Sequence, residues 1–496
     1  MDAINISTRR EVCWDEYLID RVDGVSVKMH KPEYRGSALT CDMPWEGNIC
    51  GYFQVIRDNR KYRLYYRGAS HEFDTDGNLI TDERNKLAWL GCFCYAESTD
   101  GKTFTRPDLG VVNFDGTTKN NLFIDEDYDN LCIFKDDNPD CPADERYKAL
   151  GGTGKQELMY YKSTDGVHFV KVGVLLDDGA YDSLNLAFWD KTRNQYFLYY
   201  RGIHHLGEEY SDGKWHDGEA YDGKRFIRDV RVRTSKDFRV WDTPRQIEFD
   251  KDQDDYQLYT SQIKPYYRAP HVFLGMPNRY VERPEDKSNF KYLPNRKFRA
   301  DLTRTEGRSG YAFTDSILMT SRDGYHFRRT DEVFMSPEIE MGANWYYGNN
   351  DIAWGIAETK SDRPGFPNEI SIYSPSKYRT EVNDLDRYVI RIDGFFSWNC
   401  KYKPGYVLTK PLIFKGPDLE INFATSALGY VRIKLCDEDG NELEGFDSGR
   451  LFGDSLDRPV DFDGDLKTLI DKPIRMRIEM SDADLYSFRF NSACPI

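Results

Sequence analysis

The stretch Gly91-Cys92-Phe93-Cys94-Tyr95-Ala96-Glu97-Ser98-Thr99-Asp100-Gly101-Lys102-Thr103-Phe104 is an apolar, aromatic run that breaks at a polar turn. The pattern returns at Leu158-Met159-Tyr160-Tyr161, followed by Ser163-Thr164-Asp165-Gly166-Val167-His168-Phe169. It returns shortened at Ser235-Lys236-Asp237-Phe238, and in full at Ser321-Arg322-Asp323-Gly324-Tyr325-His326-Phe327. Asp-Gly between β-prone runs marks a hairpin turn, because glycine reaches positive φ without steric cost. The starts lie 65, 72 and 86 residues apart (98 to 163, 163 to 235, 235 to 321). A unit of that length holds several strands, which suits a propeller blade better than a solenoid turn.

Upstream of each turn lies a second recurrent run. Lys61-Tyr62-Arg63-Leu64-Tyr65-Tyr66-Arg67-Gly68 is matched by Gln195-Tyr196-Phe197-Leu198-Tyr199-Tyr200-Arg201-Gly202. Arg146–Gly151 and Pro270–Gly275 fill the same place in the other two units, and a fainter fifth unit runs through 347–356 and Glu369–Tyr373. Such β-prone runs ending near glycine fit the second strand of a four-stranded sheet. The expectation is an all-β fold: a five-bladed β-propeller over 1–395, then a β-sandwich over 396–496. Blades are expected at about 42–115, 120–175, 180–250, 255–335 and 343–395, with an N-terminal strand closing the last. Val12–Asp20 is a plausible strand there. The polar inserts 203–228 and 278–310 read as surface loops, and no long amphipathic helix is expected. After residue 394 short alternating strands dominate, among them Tyr406–Phe414 and Pro473–Met480.

The chain has 496 residues, 15% of them aromatic, and a formal net charge of −16. That charge argues against a nucleic-acid partner, which needs clustered Lys and Arg. No run approaches the ~20 apolar residues of a membrane span. The N-terminus lacks the basic and apolar regions of a signal peptide. The ten cysteines follow no zinc spacing and read as reduced, packed thiols, so a cytoplasmic location is expected. No cofactor or metal is expected, and a homo-oligomer stays open.

Candidate chemistry sits where inner strands begin. The first unit offers Asp42, Trp45 and Glu46, the second Asp129 and the third Asp182; Arg268 and His271, then Trp345 and Asn350, follow in the last two. Glycoside cleavage needs one carboxylic acid to protonate the leaving oxygen and a second carboxylate as nucleophile or base. Crowding raises one carboxyl pKa so that a proton is held near neutral pH. Trp and Tyr faces bind sugar rings, and Asn, Arg and His bind hydroxyls. His204-His205 reads as a solvated loop pair, and Arg231 and Arg233 as an outward strand face.

Five units with inner-strand carboxylates and a trailing β-sandwich resemble the furanosidase superfamily of glycoside hydrolases, which includes invertases, levanases, arabinofuranosidases and arabinanases. The resemblance covers roughly 40–490; the invertase Asn-Asp-Pro-Asn-Gly, Arg-Asp-Pro and Glu-Cys motifs are absent. It implies a carbohydrate substrate and an exo-acting glycoside hydrolase. Glu46 or Asp42 would be nucleophile or base, and Asp129 or Asp182 the transition-state stabiliser. Glu369, Glu306 and Asp315 are eligible as the acid. A cytoplasmic glycoside phosphorylase and a non-catalytic carbohydrate-binding propeller are the alternatives.

Overall fold

The computed structural model describes residues 3–70, 91–125, 130–152, 156–205, 226–250, 253–283, 289–306, 308, 310–341, 344–380 and 382–491. Strands dominate, and Arg296–Glu306 is the one α-helix among the described residues. Sheet one comprises Gly51–Asp58, Lys61–Gly68, Cys92–Ser98 and Leu122–Ile124. Sheet two comprises Asn130–Lys135, Tyr147–Gly152, Leu158–Ser163 and Val170–Leu176. Leu186–Asp190, Gln195–His205, Phe226–Ser235 and Arg245–Gln246 make sheet three. Sheet four pairs Lys264–Tyr266, Ala269–Gly275, Met319–Ser321 and His326–Arg329, with Glu248–Phe249 added in parallel outside them. Sheet five pairs Ala357–Thr359, Glu369–Ser376 and Asp384–Arg391 with Glu33–Thr40. Antiparallel four-stranded sheets in series are consistent with propeller blades.

Two boundaries differ from the sequence reading. Leu122–Ile124 is the outer strand of sheet one, not the start of the second unit, and Glu248–Phe249 leaves the third unit for sheet four. An N-terminal strand does complete sheet five, but it is Glu33–Thr40 and not Val12–Asp20. The second strand of sheet one is buried from Tyr62 to Gly68 because sheets cover both its faces. That is why Lys61–Gly68 reads as continuous aromatic sequence without strict alternation.

The four recurrent turns are one structure repeated. The hydroxyl of Ser98, Ser163, Ser235 or Ser321 accepts the amide three residues on, at 2.9, 2.9, 3.0 and 2.9 Å. The same hydroxyl donates to Asp100, Asp165, Asp237 or Asp323 at 2.9, 3.0, 3.1 and 3.0 Å. Gly101, Gly166 and Gly324 take φ of 71°, 78° and 87°, and Phe238 takes 63° in the shortened copy. Each turn docks on the preceding sheet. Tyr65 and Tyr199 donate to the carbonyls of Gly166 and Gly324 at 2.8 Å, and Tyr373 donates to that of Gly101. Phe238 instead packs its ring on Phe134 and Tyr160 of sheet two, at 5.6 and 5.3 Å. Sheet five therefore touches sheet one, one touches two, two touches three, and three touches four. Trp354 Nε1 donates to Ile263 O at 3.0 Å and joins the fourth to the fifth.

A nine-stranded sheet follows, built around Asp418–Cys436 and Arg475–Asn491. Its core includes Phe414 stacked on Phe490 at 3.9 Å. Glu11–Val12, Ile19–Asp23 and Val25–Met29 hydrogen-bond into this sheet, and Ile4–Ser7 pairs with Leu412–Phe414. A division at 395 therefore needs one amendment, since residues 4–29 pair with the C-terminal strands. The insert expected as a loop at 278–310 contains the strand Asn278–Glu282 and the helix Arg296–Glu306. The other insert is strand at both ends, with Ile203 opposite Arg228, and 206–225 lies outside the described residues.

Candidate functional site

The Tyr-Tyr-Arg-Gly repeat divides its labour along one strand. Residues two apart share a face. Tyr65 and Tyr199 reach the neighbouring sheet, and Arg67 and Arg201 lie further along the same faces. The glycines that follow are set by close packing. A Cβ on Gly68 would lie 2.8 Å from Trp45 O, and one on Gly202 would lie 2.1 Å from Asp229 Oδ1.

Arg67 lines a narrow neck together with Gly51, Tyr52, Tyr259, Asn278, Tyr347, Asp351 and Tyr378. These residues come from sheets one and five and from the segments beside sheet four, and their space of about 30 Å³ takes one or two water-sized groups. Arg201 stacks over Tyr259 at 4.4 Å. Arg228 lies 5.4 and 4.9 Å from the rings of Tyr259 and Tyr280. Arg308 lies 5.4 and 5.5 Å from those of Tyr280 and Tyr347. The three tyrosines pack with centroids 5.5–5.8 Å apart. Burial pushes the Tyr259 hydroxyl pKa up, but Arg201, Arg308 and Arg228 outweigh it and hold it below the usual phenol value.

Asp351 ends the segment 344–351, which is bent by Trp345, Gly348 and Asn350 at φ of 63°, 93° and 61°. The helix Arg296–Glu306 braces that segment, as Arg299 donates to Trp345 O at 2.7 Å and to Asn344 O at 3.2 Å. Burial raises the Asp351 carboxyl to about 6, against opposition from Thr260, Asn278 and Arg67. Thr260 donates to it at 3.1 Å. Asp182 is held near the same Tyr259-Thr260 segment: Arg201 Nη1 donates to it at 2.7 Å, and Ser183 donates to Tyr259 O at 3.1 Å. A carboxyl whose pKa is raised toward neutral can supply a proton to a bound group.

The residues expected from sequence divide. Asp182 neighbours Tyr259, which lines the neck, and Asn350 precedes Asp351 with its amide donating to Ser336 O at 3.1 Å. Trp345 belongs to the same segment, its indole tied to Glu338 O at 2.9 Å. Glu46 is buried behind the neck, where Arg106 holds it through two bonds of 2.9 Å and Tyr66 donates to it. Asp42 is half-exposed, 3.5 Å from Arg106, and Trp45 donates to Asn121 at 2.7 Å. Arg268 and His271 lie elsewhere, since both are taken by buried carboxylates near the N-terminal strands. Arg268 pairs with Asp393 at 3.0 Å, and His271 contacts Glu11 at 3.1 Å. Glu369 borders a cleft between sheet five and the C-terminal sheet; burial raises its pKa, although Arg387 opposes it. Asp129 and the Glu306 side chain lie outside the described residues. Asp315 is engaged by Arg279 at 2.9 and 2.7 Å.

Further readings change too. His204 is buried in a strand between Asp229 and Asp255, at 2.9 and 2.7 Å, and is no solvated loop residue. Arg231 and Arg233 are buried and ion-paired with Asp229 and Asp178, so they do not face outward. Two larger clefts, about 450 and 320 Å³, lie along the seam with the C-terminal sheet. In the first, Arg10, Arg268 and Arg489 are all engaged by Asp393 or Glu420.

Sequence reasoning missed Asp351, Arg67, Arg201, Tyr259 and Tyr347. A signal existed for the two arginines in the repeated Tyr-Tyr-Arg-Gly run, and for Asp351 in its place one residue beyond Asn350.

No protein-family model and no curated protein matches the chain. Among solved structures, it is similar to a glycoside hydrolase family 43 arabinoxylan arabinofuranohydrolase from Bacillus subtilis. Identity is 11%, coverage is 90% of this chain and 96% of that one, and the TM-score is 0.38. It is similar to a β-1,2-mannobiose phosphorylase from Listeria innocua at 12% identity, over 74% and 98% of the two chains, with a TM-score of 0.42. An N-acetylgalactosamine deacetylase from F. plautii aligns at 12% identity over 92% and 96%, with a TM-score of 0.39.

Proposed function

We propose that the five sheets form a five-bladed propeller carrying a C-terminal β-sandwich, and that the neck at its centre cleaves a glycosidic bond. One observation carries this reading. The Asp351 carboxyl is raised to about 6 within a wall that includes Tyr52, Tyr259, Tyr347 and Arg67, and Asp182, on its own arginine, neighbours Tyr259 of that wall. Protonated Asp351 donates to the leaving glycosidic oxygen. Asp182 supports the attack at the anomeric carbon, as nucleophile or as base to the acceptor. Tyr52, Tyr259, Tyr347 and Tyr378 offer apolar faces to the sugar.

Asp351→Asn keeps size and removes the proton donor. Turnover of aryl furanosides and pyranosides is expected to fall by ~10³, with sugar binding retained. In the wild type, kcat should decline as pH rises through about 6, because the acid form is lost there. A panel of these glycosides assayed from pH 4 to 9, with and without inorganic phosphate, checks both statements. An unchanged rate in Asp351→Asn excludes it as the donor, and binding without turnover across the panel favours a carbohydrate-binding propeller.

A further inference from the structure

Arg201 is 6% exposed, and among the described residues only one of its guanidinium nitrogens has a hydrogen-bond partner. Nη1 donates to Asp182 at 2.7 Å, whereas Nε and Nη2 are buried with no hydrogen-bond partner among the described residues. Those two N–H groups share one edge of the guanidinium, the fork whose spacing matches two oxygens of a carboxylate or phosphate. Elsewhere this chain fills the same edge with a carboxylate. Arg231 Nε and Nη2 hold the two oxygens of Asp229 at 2.7 and 2.8 Å. Arg279 holds Asp315 at 2.9 and 2.7 Å, and Arg106 holds Glu46 at 2.9 Å twice.

The face of the Arg201 guanidinium lies on Tyr259, which leaves the edge for a ligand. Tyr259, Tyr52 and Tyr347 surround it, and all three line the neck. An unsatisfied buried donor destabilises a fold, so a fork that stays open here is accounted for by a ligand that closes it. Arg228 and Arg308, packed against Tyr259 and Tyr280, add positive charge beside the same ring. We infer that the neck binds an oxyanion, with two of its oxygens on Nε and Nη2 of Arg201. The ligand is then a glycoside bearing a carboxylate, as in a uronic acid, or inorganic phosphate accompanying a neutral glycoside. This rests on the proposed function only for the location of the substrate.

The test is calorimetric titration of the full chain at low salt with galacturonate, galactose and inorganic phosphate. One of the two anions should bind at least tenfold tighter than galactose. Arg201→Lys keeps the charge but lacks the fork, and should weaken that anion tenfold or more. Asp182→Asn leaves the fork and removes a competing carboxylate, so it should bind the anion as tightly as the wild type or tighter. This second variant keeps the test informative if Arg201→Lys does not fold. Preference for galacturonate identifies an acidic glycoside, and preference for phosphate identifies the free ion. Equal binding of all three probes overturns the inference, as does wild-type anion affinity in Arg201→Lys or loss of it in Asp182→Asn. Turnover of neutral glycosides without anion binding overturns this inference and leaves the proposed function standing. Anion binding without turnover of any glycoside does the reverse.

Discussion

His204 carries its proton because of where its strand places it. Burial alone lowers an imidazole pKa, but Asp229 and Asp255 on its two nitrogens outweigh burial and raise it to about 9. The unfolded value is about 6.5, so this bridge stabilises the fold fully below that pH and loses its contribution as pH rises through 9. The amount is about 3 kcal/mol. Urea unfolding of the wild type should therefore show stability falling between pH 6.5 and 9.5, and His204→Gln should remove that slope. Equal slopes would mean that His204 is not the group responsible. Asp351 shifts in the same direction from the opposite cause: burial, not ion pairing, holds its native pKa above the ordinary carboxyl value, so folding is likewise weakened as pH rises from about 4 to 6. A site held at such a cost to stability is expected where chemistry requires a proton.

At the scale of the element, the repeated turn is both a local motif and a docking device. Serine and aspartate satisfy the turn amides, the glycine supplies positive φ, and its carbonyl accepts from the preceding sheet's tyrosine. Two glycines separate these effects. Gly110 has φ of 72° with nothing within 4 Å of an added Cβ. Gly166 has φ of 78°, and a Cβ there would meet Arg63 Nη1 and Tyr65 Oη at 2.8 Å. Gly110→Ala should cost about 1 kcal/mol for the backbone alone. Gly166→Ala should cost about 2–4 kcal/mol, adding the collision and the lost tyrosine hydrogen bond. Chemical denaturation of the two variants checks the difference, and equal costs would leave docking with no measurable role.

Across the whole molecule, Trp14 is the pin that joins the parts. It is 1% exposed, its indole donates to Asp393 O at 2.8 Å, and it packs on Tyr266 at 4.6 Å and Phe395 at 5.4 Å. Its segment is held by the C-terminal sheet, while its ring sits among residues of sheets four and five. Trp14→Ala should cost about 3–5 kcal/mol and uncouple the two bodies. Scanning calorimetry should then resolve two transitions where the wild type melts in one. A single transition at a lower temperature would show that other seam contacts suffice.

The sequence by itself determined the strand-rich class, the repeat and the chemistry of its turns. Ser-x-Asp-Gly satisfies its own amides within a few residues, so it needs no distant partner to be read. The turns mark four of the repeated sheets, and the fifth was legible only as the fainter strand run through 347–356 and Glu369–Tyr373. Which carboxylates meet was decided only in three dimensions. Glu46 and Asp182 both precede inner strands, yet Arg106 holds one buried and Arg201 holds the other half-exposed, near Tyr259. Asp351 is an ordinary aspartate in the sequence, and burial in the assembled fold is what raises its pKa, against the hydrogen bonds of Thr260 and Asn278. The N-terminal strands likewise carry no mark of their destination. Glu33–Thr40 completes sheet five and residues 4–29 join the C-terminal sheet because hydrogen-bonding edges elsewhere in the chain accept them. An edge is a property of the assembled sheet, not of the strand that fills it.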